Sequence, residues 1–313
     1  MALKTVNLIG GVMELSREIM EKAEHVTIHD HRISEVAGNL KAEMDEQKDY
    51  WMGYPKWFEP EVRSEESINY MLLSYELMAG AVNYQYWYGT SEIRPNGSCA
   101  AMMYEMLDES FEEAGSMHIV KHRVVCEDAA KIFMSKIALH RLPNAEKRIG
   151  HIREILDSIK NGPNAISYMA EGIRCGSLGL EVFLKKVITT YPGYAGDMFL
   201  KRPFLLAMML YRRVQWFKEE IHLLPVPADY QVPKMLNWLG CVEYSKELYN
   251  MINSHSIIPA GSQLEAEIWA ACEITCELLA LSAGVSMCDV DTYLWLNRKQ
   301  CMDAFHLTIT TDY

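Results

Sequence analysis

Long apolar runs and an export signal are both missing from this sequence of 313 residues. Its longest apolar stretches, such as "FLLAMMLY" at 204–211, are far shorter than the ~20 residues of a transmembrane helix. The first fifteen residues carry a short apolar patch but no cleavage site of small residues. We therefore predict a protein that neither spans a membrane nor is exported, with a cytoplasmic location.

Paired cysteines and metal-binding spacings are also missing. The eight cysteines form no CxxC pair, and in a chain of this length without a secretion signal they predict reduced thiols. His29 and His31 flank Asp30, and His118 and His122 have the spacing of helical zinc ligands, but no HExxH motif is present. We interpret these histidines as surface residues and predict neither a metal nor a cofactor.

Phosphate-binding fingerprints are absent too. The sequence has no GxGxxG, GxxxxGK[ST] or GxSxG motif, which disfavours a Rossmann dehydrogenase, a P-loop kinase and a serine hydrolase. A net charge of −12 argues against a surface that binds nucleic acid everywhere. A local basic groove stays open, because five cations crowd the stretch 196–218 against Asp197 alone; a solvated helix face is the alternative. The five are Lys201, Arg202, Arg212, Arg213 and Lys218.

Helical periodicity fills most of the chain. Apolar residues recur at steps of three and four over 68–86, 149–159 and 264–279, and only "HLTITTDY" at the C-terminus has an extended pattern. No Gly/Ser linker divides the chain. We predict an all-α protein with two helical lobes around a cleft. Residues 1–63 would form an N-terminal helix and an irregular aromatic-rich segment that could cover the cleft, and 64–313 the helical body.

The stretch "TYPGYAGDMF" at 190–199 places a P-G-x-x-G turn between two predicted helices. Such a turn can direct backbone N–H groups at a DNA phosphate, and Gly193 and Gly196 are the candidates. It resembles the hairpin of helix-hairpin-helix DNA glycosylases. A simple helix-ending turn is the alternative.

A dense aromatic segment, "NYQYWYG" at 83–89, ends the first long predicted helix of the body. Aromatic rings can hold a planar base outside its duplex, and they are equally common in cores. Both interpretations stay open for Trp87, whose neighbours Asn83 and Gln85 give the segment a polar edge.

Four charged residues have positions that a solvated helix surface does not explain. Asp229 lies between prolines in "LLPVPADYQVP", and prolines lower the entropy cost of holding a loop in place. Asp289 and Asp291 precede an apolar helix, where at least one of them would serve as a cap. Lys201 lies at a helix start, where its positive charge opposes the helix dipole, so another interaction must favour it.

Seven short segments, taken in chain order over roughly residues 65–313, resemble those of the queuosine salvage family. Its members carry segments like L-N-F-C-F-W-P-D, Y-K-R-A-Q-I-L, F-A-D-Y-R-V-P-Q, L-G-x-x-x-Y-S, G-S-x-x-E-V-E-I-R, D-x-Y-L-W and H-R-T-x-T-x-Y. The matching segments here are "AVNYQYWYG", "LKRPFLLAMML", "ADYQVP", "LGCVEYS", "GSQLEAEIW", "DTYLW" and "HLTITTDY".

The resemblance implies a helical fold related to DNA glycosylases and an N-glycosidase activity on queuosine nucleotide. It also implies that Lys201, Asp229 and Asp291 are active-site residues and that Trp87 stacks on the base. Two departures change the pocket: Tyr88-Gly89 replaces the proline and aspartate of F-W-P-D, and Gln231 replaces an arginine.

The departures favour a second resemblance, to the bacteriophage amino acid:DNA transferases, called α-glutamyl/putrescinyl thymine pyrophosphorylase-like proteins. These proteins hypermodify thymine in DNA. The implied reaction replaces the pyrophosphate of 5-pyrophosphoryloxymethyl-uracil with an amine such as glycine, glutamate or putrescine. The partners would then be double-stranded DNA with a modified pyrimidine and a small amine, in the cytoplasm of a host cell.

In the transferase hypothesis, Lys201 neutralises the pyrophosphate and Asp229 accepts the amine proton or anchors the ammonium group. Asp291 orients Lys201 or binds the base edge. An N-glycosidase acting on queuosine 5′-phosphate is the alternative, with the same residues in other roles, and a non-catalytic nucleic-acid-binding helical protein is the second. The further residues predicted to bind substrate are Asn83, Tyr86, Trp87, Arg202, Arg212, Arg213, Tyr230 and Gln231.

Overall fold

The computed structural model describes residues 7–46, 65–88, 91–92, 99–117, 122–140, 142–161 and 165–312. These residues are mostly helical, which confirms the predicted all-α class. The helices are α1 (Leu8–Met20), α2 (Asp30–Glu46), α3 (Glu65–Ala81), α4 (Cys99–Met117), α5 (His122–Leu139), α6 (Ala145–Lys160), α7 (Ala165–Arg174), α8 (Leu180–Thr190), α9 (Lys201–Val214), α10 (Gln231–Trp238), α11 (Lys246–Asn253), α12 (Gln263–Ala283) and α13 (Met287–Asn297). Short 3-10 helices cover Pro192–Tyr194, Ile221–Leu223 and Arg298–Gln300.

Two small antiparallel strand pairs accompany the helices. Strand β1 (Val26–Ile28) pairs with β4 (Val242–Tyr244), and β2 (Trp87–Tyr88) pairs with β3 (Ser91–Glu92). The predicted extended C-terminal stretch forms one isolated bridge, from Leu307 to Ile257, and no longer strand within its described residues. Strands of two or three residues are too short to give an alternating pattern, so periodicity does not reveal them.

The helices pack in two groups joined by α8 and α9. One group surrounds α3, which contacts α5, α6, α7 and α9. The other surrounds α12, which contacts α1, α2, α10 and α13. A large hydrophobic core cluster of described residues runs through both groups.

The N-terminal helices α1 and α2 pack on α12 of the C-terminal group. The boundary between residues 1–63 and 64–313 stays a prediction. Most of the aromatic-rich segment that was predicted to cover the cleft, residues 47–63, lies outside the described residues.

No single helix among the described residues is long and apolar enough to cross a membrane. The bent pair formed by Gln263–Ala283 and Met287–Gln300 (106°) passes that test by length and composition only. Much of both helices is buried in the protein. The same part of the chain contains no group of three metal-ligating side chains; His118 lies outside it.

Candidate active site

A cleft between the two helix groups collects the chemically reactive residues. It encloses about 700 Å³ when the solvent at its mouth is counted. Its walls come from the loop after α3, the start of α4, helix α9, the proline-containing loop at 224–230 and helix α13. The lining residues are Asn83, Tyr86, Ala100, Lys201, Leu205, Met208, Pro227, Asp229, Tyr230, Gln231, Asp291, Thr292, Trp295 and Arg298.

Lys201 projects into this cleft from the first turn of α9. Its backbone N–H donates to the Asp197 carboxylate at 2.6 Å, so a negative charge at the N-terminus of α9 offsets the unfavourable position of the lysine. The Nζ atom donates to the Asn83 carbonyl oxygen at 2.8 Å and to Asn83 Oδ1 at 3.2 Å. Burial lowers the pKa of Lys201 to about 8, although Asp229 and Asp291 oppose that shift. The lysine can therefore both hold and release a proton near neutral pH.

Asp229 is held by donors on both carboxylate oxygens. Its Oδ1 accepts the backbone N–H of Gln231 at 2.8 Å, and its Oδ2 accepts the Trp295 Nε1–H at 3.0 Å. The first contact closes the turn that leads into α10, and the second fixes the side chain against α13. These bonds fix the orientation of a carboxylate that faces the cleft.

Asp291 lies one turn N-terminal to Trp295 on α13 and is only 6% exposed. No described residue makes a hydrogen bond to its carboxylate. Burial, followed by the negative charge of Asp229, raises the pKa of Asp291 to about 7, while Lys201 and Arg212 oppose the rise. Its neighbour Asp289 instead forms a capping box with Ser286. Ser286 is the N-cap and both aspartates lie within α13, so the prediction that one of them is the N-cap is wrong, although Asp289 takes part in the cap as its third helical residue.

Glu273 of α12 anchors the proline-containing loop through a hydrogen bond to its backbone. Pro225 and Pro227 have no N–H, and the N–H of Val226 between them donates to Glu273 Oε2 at 3.1 Å. Glu273 is 3% exposed, and burial raises its pKa well above the usual range. A small cavity separates it from Lys201 and Asp197. The backbone that leads to Asp229 is thus fixed by a buried carboxyl group.

Arg148 of α6 holds the aromatic loop after α3 in the same way. Its guanidinium donates to the carbonyl oxygens of Val82, Tyr84 and Gln85, the last at 2.8 Å, and lies 4.2 Å from the Tyr84 ring centroid. The loop includes Gln85 at φ 35°, a strained conformation for a residue with a side chain. A fully buried arginine therefore orders the loop that supplies Asn83 and Tyr86 to the cleft.

The predicted aromatic residues divide between the cleft and the core. Tyr86 and Tyr230 line the cleft, whereas Trp87 is absent from its described lining. Trp87 is buried in a small cluster with Tyr230 and Leu307, and Phe305 packs against that cluster. Because Trp87 packs in this cluster and not in the described lining, its position gives no support to stacking on a base, which stays a prediction. Gly89, the other departure in this segment, lies outside the described residues.

Three arginines predicted to bind substrate have interactions in the scaffold and do not appear in the described cleft lining. Arg202 donates to the carbonyl oxygens of Ala81 and Gly193. Arg212 donates to Asp289 at 2.7 Å, and Arg213 forms a buried ion pair with Glu76. The basic groove is therefore not a surface feature, because the side chains of Lys201, Arg202, Arg212 and Arg213 are all buried.

The Pro-Gly hairpin also has internal partners. The Gly193 N–H donates to Glu154 at 2.9 Å, and a Cβ atom at Gly193 would lie 2.5 Å from the His151 ring. A Cβ atom at Gly196 would lie 3.3 Å from the Asp312 carboxylate. Carboxylates at both glycines repel phosphate, so the predicted DNA-backbone role has no support from this geometry.

Among the cleft residues that the sequence reasoning missed, Trp295 and Arg298 bear on the chemistry of the site. Trp295 binds Asp229, and the Arg298 guanidinium carbon lies 3.6 Å from the Trp295 ring centroid. They follow Asp291 by four and seven residues, which places all three on one face of a helical segment. This helical spacing from Asp291 could have identified both residues from the sequence.

Comparison with known proteins identifies the family of this chain. The sequence model described as "Queuosine salvage protein" matches residues 64–311. A protein of Dictyostelium discoideum named queuosine 5′-phosphate N-glycosylase/hydrolase is 28% identical over 206 residues, which cover 55% of this chain and 59% of that protein. A protein of the same name from Sphaerobacter thermophilus is 22% identical over 310 residues, covering 91% of each chain. These matches do not support the phage transferase subfamily. Because the family match spans most of the chain, the protein belongs to the queuosine salvage protein family.

Proposed function

We propose that the protein hydrolyses the N-glycosidic bond of queuosine 5′-phosphate, the alternative that the sequence had left open. The observation that carries the proposal is one cleft in which Lys201, Asp229 and Asp291 meet, within a chain of the queuosine salvage family. Both curated relatives described above are named for that activity. Asn83, Tyr86, Tyr230 and Gln231 would surround the substrate.

The two aspartates have different environments and take different roles. Asp229, fixed by Trp295 and Gln231, stabilises the positive charge that develops on the sugar as the bond to the base breaks. Asp291, with a pKa of about 7, accepts the proton of the attacking water. Pairs of titratable groups with divergent environments are typical of acid–base sites.

Lys201 acts as the general acid. The C1′–N bond breaks, its electron pair moves to the base nitrogen, and Lys201 donates the proton that neutralises the base. Water forms the new C1′–O bond, its proton goes to Asp291, and solvent returns a proton to the lysine. The Nζ atom has three N–H donors, of which the described contacts use two for Asn83. The third is available to the substrate.

Gln231, which replaces an arginine of the salvage enzymes, remains the reason to consider the transferase hypothesis. The cleft as a whole favours the hydrolase over the transferase. A pyrophosphate needs several cations, but the described lining offers only Lys201 and Arg298. Arg202, Arg212 and Arg213, which were assigned that task, are engaged in the scaffold. DNA and a small amine are therefore kept as alternative substrates, which the assay must compare with queuosine 5′-phosphate.

The direct test incubates the purified protein with queuosine 5′-phosphate and quantifies the free base by chromatography and mass spectrometry. A parallel reaction contains DNA with pyrophosphorylated 5-hydroxymethyl-uracil and candidate amines. We expect free base in the first reaction and unchanged nucleosides in the second. Aminated thymine without any free base would reverse the assignment.

The pH dependence tests the roles of the two titrating groups. A base with a pKa of about 7 must be deprotonated and an acid with a pKa of about 8 protonated. We expect kcat/KM to follow a narrow bell with its maximum between these values. A rate that is flat from pH 5 to 9 would remove both groups from proton transfer.

A further inference from the structure

Arg298 differs from the other arginines near the cleft. It lines the cleft and is partly exposed, and no described carboxylate lies within ion-pair distance of its guanidinium. Its Nη1 donates to the Trp295 carbonyl oxygen at 2.6 Å, and the guanidinium carbon lies 3.6 Å from the Trp295 ring centroid. The planar group is thus held in place while most of its N–H donors stay available.

The charge distribution in the cleft favours an anion at Arg298. Asp229 and Asp291 repel a phosphate from their side of the cavity, and Lys201 is buried and shares its donors with Asn83. Arg298 is the remaining cation in the described lining. Guanidinium groups bind phosphate through two parallel N–H donors, which a single ammonium does not provide.

We propose that Arg298, held on the Trp295 ring, binds the 5′-phosphate of the substrate and makes the protein selective for nucleotides over nucleosides. This inference rests on the proposed hydrolase function. Trp295 joins the two parts of the site, because its ring carries Arg298 and its Nε1–H binds Asp229. The bound phosphate would therefore place the sugar against the carboxylates, so Arg298 acts as a binding and specificity residue.

The kinetic test compares queuosine 5′-phosphate with queuosine nucleoside. We expect Arg298→Gln to lower the ratio of kcat/KM for nucleotide over nucleoside by roughly 10- to 100-fold, the value of a charge-assisted hydrogen bond. The loss should appear mainly in KM, and Arg298→Lys should recover part of it. Lys299→Gln is the matched control, since this neighbouring cation is exposed and outside the described lining. An Arg298→Gln ratio equal to that of Lys299→Gln overturns the inference.

A binding test separates this inference from the hydrolase proposal. Isothermal titration of the protein with ribose 5-phosphate and with ribose needs no turnover. We expect wild-type protein and Lys299→Gln to bind ribose 5-phosphate more tightly than ribose, and Arg298→Gln to lose the difference. Equal binding of ribose 5-phosphate by wild-type and Arg298→Gln proteins overturns the phosphate assignment even if the base is released. Selective phosphate binding without any hydrolysis supports the assignment and rejects the hydrolase.

Discussion

Lys201 and Arg202 are adjacent in sequence and both are buried, but they belong to different regions of the molecule. Lys201 faces the cleft, where burial lowers its pKa to about 8 although Asp229 and Asp291 oppose that shift. Arg202 faces the scaffold, where the carbonyl oxygens of Ala81 and Gly193 accept its N–H groups. Burial alone therefore does not distinguish a catalytic cation from a structural one. What distinguishes them is their surroundings: Lys201 lines the cleft with Asp229 and Asp291, whereas Arg202 binds backbone carbonyl oxygens of the scaffold.

Arg148 and Arg213 of the scaffold both have protein partners. Arg148 binds four backbone carbonyl oxygens, and Arg213 pairs with Glu76. In the cleft, the Asp291 carboxylate has no hydrogen-bond partner among the described residues and titrates near neutral pH. Such an unsatisfied buried carboxylate costs stability, which proteins tolerate where the group has a function.

The largest effect is expected at Asp229. Asp229→Asn preserves the shape but removes the negative charge that faces the sugar, so we expect hydrolysis of queuosine 5′-phosphate to fall about 10³-fold. Steady-state release of the free base measures the change, and circular dichroism checks the fold. Asp303→Asn is the control, because Asp303 is an exposed aspartate outside the described cleft lining. Wild-type turnover by Asp229→Asn would exclude this carboxylate from the mechanism.

On the scaffold side, Arg213→Met should affect stability more than chemistry. Burial already raises the pKa of Glu76 to about 7, and the loss of Arg213 leaves that carboxylate without its ion-pair partner. We expect about 3 kcal/mol of destabilisation at pH 8 from urea unfolding. The loss should shrink at pH 5, where Glu76 is protonated in the folded protein. The double variant Glu76→Met/Arg213→Met should recover much of the stability; equal losses in single and double variants would contradict the pairing.

The contrast between Lys201 and Arg202 also shows how far sequence reasoning reaches. The 3.6-residue periodicity predicted the helices, and the resemblance to the salvage family implied that Lys201, Asp229 and Asp291 share one site. Adjacent helical residues point about 100° apart, and only tertiary packing decides which of them faces a cleft. Arg148 binds backbone carbonyl oxygens, and every residue has such an oxygen, so the sequence does not indicate which of them will bind an arginine. Trp295 and Arg298 were within reach through their helical spacing from Asp291.

A smaller effect of opposite sign is expected at Asp291. Its pKa in the folded protein, about 7, lies above the ordinary value of 3.8, so the folded state binds this proton more tightly than the unfolded chain. The penalty for ionising it is absent below pH 4, grows as the pH rises, and is complete above pH 7. Asp291→Asn should therefore gain on the order of 2 kcal/mol of stability at pH 8 and nothing at pH 4, while activity is lost. Unfolding curves at both pH values test this; a gain that does not depend on pH would argue against ionisation as its source.

The smallest effect concerns the loop anchor Glu273, which lies between the two regions. Burial holds its pKa well above the usual range, which favours the neutral acid, and its Oε2 accepts the Val226 N–H. Because glutamine is neutral and keeps a carbonyl acceptor, Glu273→Gln should be within about 1 kcal/mol of wild type in stability. Glu273→Leu removes the acceptor and leaves the N–H unpaired, which should cost about 1–3 kcal/mol and reduce turnover through Asp229. Denaturant unfolding and kcat for both variants decide the matter. If Glu273→Gln were as damaging as Glu273→Leu, the negative charge itself would be required, and Glu273 would belong with the ionised groups of the cleft.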